Sequence, residues 1–346
     1  MLNLKSLRKE LRASGVFERR ETQSWLKLLF FAACIATCIW VQTMVPFWAA
    51  VIMVVPTAFF SAAFAMMGHE GSHRSFSSSP FRNQLLFHLA FPLFGGVSGQ
   101  YWSWKHDANH HSNPNVVDQD PDIQLWPMVS TATEYRRSSG WRQFFQRRLQ
   151  GFAFWPLCLM LVWSMRTSSL AFMYRSIRDR GFDRDVVWDT VSLTLHIALW
   201  IVVPIYFFGF NGLLLYVGVW SLVGLFLSMV FSPAHIGMPI YQDTKDTIRL
   251  QFETTRNLVL PAWLSFFFIG LEYQIEHHLF PRIPHQNLKA ASKITRAWAQ
   301  ENGAPYHAIG YGQGLVAVTK EMNNAWKREP ALLANDALNR SLGTSG

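Results

Sequence analysis

The sequence predicts an all-α integral membrane protein in which four transmembrane helices form two hairpins, accompanied by interfacial helices and a cytoplasmic cap. Half of the 346 residues are hydrophobic and only 15% are charged, whereas soluble domains average roughly 25% charged residues. Two long stretches, 28–69 and 190–242, contain no Asp, Glu, Lys or Arg. Because a spanning helix needs about 20 apolar residues, each stretch accommodates two helices and a tight turn.

Turn-forming residues interrupt both apolar stretches. Val45-Pro46 divides the first stretch, and the Gly and Asn residues of 209–212 divide the second. The transmembrane helices are therefore predicted near 26–45, 47–67, 187–208 and 212–232.

The basic residues set the predicted orientation. None of the 31 Lys and Arg residues lies at a predicted hairpin tip, since all of them precede 28, separate the two stretches or follow Gln242. The positive-inside rule then places both termini and the central region in the cytoplasm, at a bacterial inner membrane or the endoplasmic reticulum. The first 25 residues are polar and charged, so no cleavable signal peptide is expected. We expect a cytoplasmic segment at 1–25, one membrane domain at 26–332 and a flexible tail at 333–346.

Two shorter apolar stretches, 85–96 and 151–165, are predicted to be interfacial or re-entrant helices. Pro92 and the Gly95-Gly96 pair interrupt the first of them. If the second crossed the bilayer, the histidines before and after it would lie on opposite sides of the membrane.

The net charge of +9 fits either an anionic partner, such as a phospholipid surface or a nucleotide-bearing thioester, or the ordinary basic excess of cytoplasmic loops. The basic residues are dispersed among several loops, which favours the second interpretation and gives no indication of nucleic-acid binding. Cys34, Cys38 and Cys158 lie in apolar stretches without metal-binding spacing, so we expect them to be core residues.

Seven of the 12 histidines fall in three tight clusters. On an α-helix, imidazoles at i and i+4 share one face and can bind one metal ion. The adjacent histidine of an HH pair points roughly 100° away and can reach a second ion, so these clusters suit two metals. The clusters are His69-Glu-Gly-Ser-His73, His106-Asp-Ala-Asn-His110-His111 and Gln274-Ile-Glu-His277-His278, and His235 is an eighth candidate.

The predicted topology brings these histidines to one membrane face, because His69 and His235 directly follow predicted helices. Zinc, copper, iron and nickel all accept imidazole ligands. Zinc sites usually close at four ligands, so eight histidines fit two irons with open positions for O2 better. His88, His196 and His307 have no clustered partners and are interpreted as structural, whereas His285 is either structural or an orienting residue.

The three clusters resemble the histidine boxes of the membrane fatty acid desaturase superfamily. HEGSH matches the HxxxH box and HDANHH the HxxxHH box. QIEHH, followed by Leu279-Phe280-Pro281, resembles the third box of front-end acyl and sphingolipid desaturases. The likeness extends to Thr254-Thr255-Arg256-Asn257 and Pro284-His285, and it covers about residues 25–300.

The resemblance implies two iron ions, O2 as co-substrate and an acyl lipid or acyl thioester as substrate. Removal of two neighbouring hydrogens gives a double bond, and a hydroxylase, acetylenase or epoxidase on the same ligands remains the alternative. Gln274 stands where many desaturases have a further histidine. The implied iron ligands are His69, His73, His106, His110, His111, His235, His277 and His278.

Two further expectations concern electrons and competing functions. The sequence lacks the His-Pro-Gly-Gly signature of a fused cytochrome b5 domain, so a separate ferredoxin or cytochrome b5-type protein is expected to supply electrons. A metal-dependent transporter or receptor would place polar ligands at mid-membrane, where the charge-free hairpins hold only His196.

Residues next to the ligands are candidates to orient them, since ligand histidines usually donate their second N–H to a carboxylate or carbonyl. Trp102 and Trp104 precede the second cluster, and they either line an acyl channel or lie at the membrane interface. The orienting candidates are Glu70, Asp107, Glu276, Gln274 and His285, together with Asp118, Asp120 and Asp122.

Overall fold

The computed structural model describes residues 2–243 and 246–331, and most of these are helical. The tail predicted from 333 onward lies outside the described residues. Four α-helices continue directly into or out of three wider π-helical segments, which lie at Leu89–Gly95, Ser103–His110 and Ala198–Val202. In chain order the α-helices are α1 (Lys5–Ala13), α2 (Glu21–Met44), α3 (Phe47–Ser72), α4 (Pro80–His88), α5 (Gly99–Trp102), α6 (Ala132–Arg137), α7 (Trp141–Arg148), α8 (Gln150–Cys158), α9 (Leu161–Arg180), α10 (Arg184–Ile197), α11 (Val203–Phe208), α12 (Phe210–His235), α13 (Thr247–Thr254), α14 (Ala262–Phe268), α15 (Gln274–Leu279), α16 (His285–Glu301) and α17 (Tyr311–Asn324).

Four helices of the described chain are long and apolar enough to cross a membrane. The prediction of an all-α membrane protein with four spans is confirmed at this level. Each span is longer than its apolar run, because the helix continues into the polar residues at its ends. The spans are Glu21–Met44, Phe47–Ser72, Arg184–Phe208 and Phe210–His235.

The extra length at the ends has local causes. α2 begins at Glu21, whose carboxylate accepts hydrogen bonds from Ser77 (2.7 Å) and Arg82 (2.6 Å). α3 runs on to Ser72 and α12 to His235, so both carry histidines within their last turns. The predicted ends at 67 and 232 were too early, since these polar residues are helical.

The predicted breaks within the apolar stretches are confirmed. Val45 and Pro46 are extended between α2 and α3, and Gly209 takes a φ of +59° between α11 and α12. Near that second turn a Cβ on Gly212 would lie 2.4 Å from the Pro204 carbonyl oxygen, so only glycine allows the close approach. α2 packs along α3, and α3 packs along α12.

The packed helices bury an apolar core and expose a large apolar exterior. Phe31, Met67 and Val223 are fully buried in that core, whereas Trp48 and Tyr206 are exposed. Such an apolar exterior is expected where lipid tails replace water.

The first short apolar stretch is broken where the sequence indicated, whereas the second contains a break that was not predicted. The first passes from α4 into a π-helical segment that contains Pro92 and ends at Gly96 with a φ of +68°. The second is divided between α8 and α9, which meet at an angle of 70°. That bend suits a re-entrant loop or one broken span, so the predicted interfacial role of 151–165 stays a prediction.

Outside the spans, one connected set of elements is formed by contacts among α1, α13, α15, α16, α17 and two short strands, and we call this set the cap. The strands β1 (Asn257–Val259) and β2 (Ala308–Gly310) pair in parallel and add a small sheet that the all-α prediction did not include. α1 packs against α16, and its Leu7 and Leu11 are fully buried. The N-terminal segment is therefore packed against the rest of the described chain.

Candidate metal centre

The structure gathers all eight predicted ligand histidines into two adjacent groups. Within each group the ring nitrogens lie within 4.8 Å of one another. We call these sets the five-histidine group and the three-histidine group. The five-histidine group contains His69, His73, His106, His111 and His277, and the three-histidine group contains His110, His235 and His278.

The spacing of these nitrogens fits metal ligands. The Nε2 atom of His69 lies 2.8 Å from that of His106 and 3.2 Å from that of His73. Two nitrogens bound at right angles to one ion, at about 2.1 Å each, lie about 3 Å apart. The buried Nε2 atoms of His277 and His278 have no hydrogen-bond partner. A metal ion in each group would satisfy these otherwise orphaned nitrogens.

The electrostatic environment keeps the imidazoles neutral. Burial, and then repulsion from neighbouring imidazoles, lowers the pKa of His106, His277 and His278 well below the usual histidine value. Neutral imidazole is the form that binds a metal ion, so the site favours metal over protons near pH 7.

A π-helical segment determines how the second cluster is shared. Residues Ser103–His110 are π-helical, and the backbone N–H of His111 donates to the His106 carbonyl (3.0 Å), a spacing of five residues. His106 therefore joins His111 in the five-histidine group, while it also lies near His110 and Asp122. The i,i+4 spacing predicted that His106 shares an ion with His110, whereas the π-helical geometry brings it together with His111.

The adjacent histidine pairs divide between the two groups as their angular separation predicts. His111 and His277 belong to the five-histidine group, and His110 and His278 belong to the three-histidine group. The other histidines lie outside both groups. Among them, His196 is hydrogen-bonded to Tyr216 Oη (2.8 Å) and to the Leu93 carbonyl (3.0 Å), as a structural residue should be.

Close helix packing positions the first cluster. A Cβ on Gly71 would lie 2.7 Å from the Asn83 carbonyl oxygen, so only glycine allows α3 to approach α4 this closely. Gly68 meets Ala90 in the same way, since a Cβ on Gly68 would lie only 2.3 Å from the Ala90 Cβ. These two glycines flank His69 and hold its turn of α3 against the neighbouring chain.

Asp120 orients a ligand of the three-histidine group. Both of its carboxylate oxygens lie 3.1 Å from Nδ1 of His110, and the Asn115 backbone N–H donates to it (2.8 Å). Asp122 lies 3.5 Å from the same Nδ1 and pairs with Lys105. Asp118 is exposed, and no contact with a histidine is found for it within 2–243 and 246–331.

Gln251 contacts both histidine groups and was not predicted from the sequence. Its Oε1 accepts from Nδ1 of His278 (3.0 Å), and its Nε2 donates to the His111 carbonyl (2.9 Å). One side chain thus links the two groups. Gln251 is uncharged and lies outside the histidine clusters, so it does not stand out in the sequence. The one indication is its position one helical turn before Thr255, whose hydroxyl donates to the Gln251 carbonyl (2.5 Å).

Glu70 and His285 form a buried pair behind the ligands. The Glu70 carboxylate accepts from the His285 backbone N–H (2.8 Å) and lies 2.8 Å from His285 Nδ1. This pair fastens α3 to α16 rather than contacting a ligand ring directly.

The other predicted orienting residues surround the ligands at different distances. Asp107 lies 3.6 Å from Nε2 of His73, and burial raises the pKa of its carboxyl to about 6. The Gln274 side chain contacts the His235 imidazole. Glu276 is bound by Asn257 (2.8 Å) and by Tyr306 (2.9 Å), and burial raises its pKa to about 7.

An apolar cavity adjoins the five-histidine group. Trp102 lines it and stacks on His106, with ring centroids 4.6 Å apart. Trp104 does not line it and is instead half exposed beside Phe172. From Trp220 to Phe231 on α12 the cavity wall covers twelve residues of helix, a rise of about 16 Å. The other lining residues include Ala65, Met66, His69, Phe91, Val162, Val223 and Leu227.

These features define a class of membrane protein in which buried histidines, spaced like metal ligands, lie beside an apolar cavity. Residues 45–310 match the sequence model of the family described as "Fatty acid desaturase". The chain belongs to the fatty acid desaturase family, and it is an oxidoreductase of that family.

Three relatives illustrate the similarity. The chain is 25% identical to the Delta(8)-fatty-acid desaturase 2 of Arabidopsis thaliana, over 95% of this chain and 75% of that protein. It is 25% identical to the Delta(6)-fatty-acid desaturase fat-3 of Caenorhabditis elegans, over 93% and 74%. It is also 25% identical to the Delta 8-(E)-sphingolipid desaturase of Emericella nidulans, over 75% and 51%.

Replacing Gln251 by Ala is expected to weaken metal binding by roughly 10- to 100-fold, the usual cost of removing an orienting partner. His278 would lose the acceptor that fixes its ring. Metal retained during dialysis against graded chelator measures the effect, and the exposed Gln313→Ala serves as control. Equal retention by both variants would show that Gln251 does not orient a ligand.

Arg256 holds the backbone on both sides of His235, and its removal should therefore weaken metal binding in the three-histidine group. Its Nε donates to the Pro233 carbonyl (2.6 Å) and its Nη2 to the Ile236 carbonyl (2.8 Å). Arg256→Ala is expected to lower metal content mainly by loss from this group, with partial recovery in Arg256→Lys because lysine keeps the charge but lacks the forked donors. Elemental analysis of folded protein tests this, and undiminished metal in Arg256→Ala would refute it.

Proposed function

We propose that this protein is an O2-dependent acyl desaturase, which introduces a C=C bond into the acyl chain of a lipid at a di-iron centre. The observation that carries this proposal is the pair of adjacent buried histidine groups, one of which contributes His69 to the wall of an apolar cavity. Membership of the fatty acid desaturase family supports it.

Iron fits the donor set. Eight imidazoles without a thiolate exceed what a closed zinc site uses, and imidazole is a good ligand for iron. The five-histidine group would hold one iron, and the three-histidine group, with Gln274 beside His235, would hold the other. When bound, the irons would supply the reduction of O2 and the oxidation of an unactivated CH2 group.

The protein's own residues position the substrate. The cavity wall is apolar from Trp220 to Phe231, so its chemistry suits a hydrocarbon chain better than water. His69 forms part of the same wall, which brings the chain beside the ligands. Trp102 lies between Phe91 and His106, with ring centroids 4.4 Å and 4.6 Å away, and keeps that part of the wall rigid.

The same proposal includes a topology. The four spans would form two hairpins, with both termini, the histidine groups and the cap on the cytoplasmic side. His235 ends α12 and His69 lies in the last turn of α3, so both would meet the cap at one membrane face. The distribution of Lys and Arg supports this orientation, in a bacterial inner membrane or the endoplasmic reticulum. Residues 26–332 would form the single membrane domain.

The substrate and the electron donor complete the proposal. An acyl lipid or acyl thioester would enter the cavity, and a separate ferredoxin or cytochrome b5-type protein would supply electrons. The names of the relatives, which include fatty-acid and sphingolipid desaturases, support an acyl chain as the oxidised group.

Lipid mass spectrometry after expression in a host that lacks the activity tests the proposal. Acyl chains lighter by two hydrogens are expected, whereas chains that gain one oxygen would indicate a hydroxylase instead. His110→Ala and His278→Ala should abolish the product, because each removes a ligand from the three-histidine group. The exposed His307→Ala is the matched control and should retain activity.

A further inference from the structure

Three exposed arginines from distant parts of the sequence meet beside the metal centre. Arg19 joins two of them, since its guanidinium donates to the backbone carbonyls of Arg282 and Arg74 (2.9 Å for the latter). The guanidinium carbon of Arg8 lies 5.8 Å from the ring centroid of Phe280, two residues before Arg282. We call Arg8, Arg19, Arg74 and Arg282 the arginine patch.

The patch is a concentration of like charge. Arg8, Arg74 and Arg282 are exposed and Arg19 is partly buried. Across residues 2–243 and 246–331, no carboxylate forms an ion pair with any of the four. The acid that interacts with Arg19, Glu70, is buried and bound to His285. Like charges held together without counter-ions favour an anionic partner.

The patch lies close in sequence to both histidine groups. Arg74 follows His73, a member of the five-histidine group. Arg282 lies four residues after His278, a member of the three-histidine group. A partner bound at the patch would therefore contact residues that lie one to four positions along the chain from a member of each histidine group.

The patch and the cavity lie on opposite sides of the centre along α3. Ala65, Met66 and His69 line the cavity, whereas Arg74 follows the C-terminal end of the same helix. From Ala65 to Ser72, the last residue of α3, the helix rises about 10 Å, and Arg74 lies beyond that end. A substrate chain in the cavity would leave the patch free for another partner.

Charge also distinguishes the patch from the surface beside the second cluster. Asp118 and Asp122 are exposed there, and Asp107 is partly exposed. An acidic protein would be repelled by that surface and attracted to the patch.

We propose that the arginine patch is the docking surface of an acidic electron-transfer protein that reduces the metal centre, an inference that rests on the proposed function. Forming one double bond removes two electrons and two protons from the acyl chain. Reducing O2 to two waters takes four of each, so the docked protein supplies the other two electrons and solvent the other two protons. Electron-transfer encounters use small, weak interfaces, which a few arginines can provide.

Charge reversal tests the docking surface. The Arg8→Glu/Arg282→Glu variant of the iron-loaded protein is compared with Arg148→Glu/Arg175→Glu, which reverses two exposed arginines elsewhere. The probe is a reduced plant-type [2Fe–2S] ferredoxin, whose oxidation is followed by stopped flow at several salt concentrations. We expect the patch variant to oxidise it at least about tenfold more slowly at low salt, with a flatter salt dependence. The control pair should match the wild type.

Two further measurements separate the possible failures. When the metal centre is first reduced with dithionite, the excess dithionite is removed and O2 is then admitted, the patch variant should form as much product in one turnover as the wild type, because docking is bypassed. No product from the wild type with dithionite would overturn the proposed function, whereas ferredoxin oxidation tests docking alone. Equal ferredoxin oxidation by both double variants would overturn the docking surface. So would a selective loss of binding to phosphatidylglycerol vesicles with unchanged ferredoxin oxidation, because the patch would then bind lipid.

Discussion

The structure depends on one constraint, the burial of eight imidazoles whose ring nitrogens crowd together. Within the five-histidine group, nitrogens lie 2.8 to 3.2 Å apart, and the three-histidine group lies beside it. Buried polar groups at such spacing need a common partner, and metal ions provide one. The long ends of α3 and α12, the π-helical segment and the contacts of Asp120, Gln251 and Arg256 all bring histidines to this arrangement.

The apolar helices and the cap contribute different parts of the site. The spans supply a low-dielectric wall and the cavity beside His69, while the cap contributes α13 and α15 with Gln251, His277 and His278. The buried pair of Glu70 and His285 fastens the two parts together. Substrate and electrons can then approach from different directions, since the cavity precedes His69 on α3 and Arg74 follows it.

Local patterns in the sequence were enough to predict the four spans, their breaks and all eight clustered histidines. They could not reveal the π-helical segment at 103–110, because HxxxHH is compatible with either helix type. They also missed Gln251, an uncharged residue that meets His278 across 27 positions. Glu70 was expected to orient its neighbours, yet it binds His285, 215 positions away. Sequence adjacency identified the clustered histidines, whereas the side chains that contact them come from distant segments.

A crystal structure with anomalous difference maps recorded at the iron and zinc absorption edges tests the di-iron centre most directly. Two iron peaks per chain are expected, one among His69, His73, His106, His111 and His277, and one among His110, His235 and His278. A single peak, or peaks that correspond to zinc without iron, would contradict a di-iron centre held by these histidines.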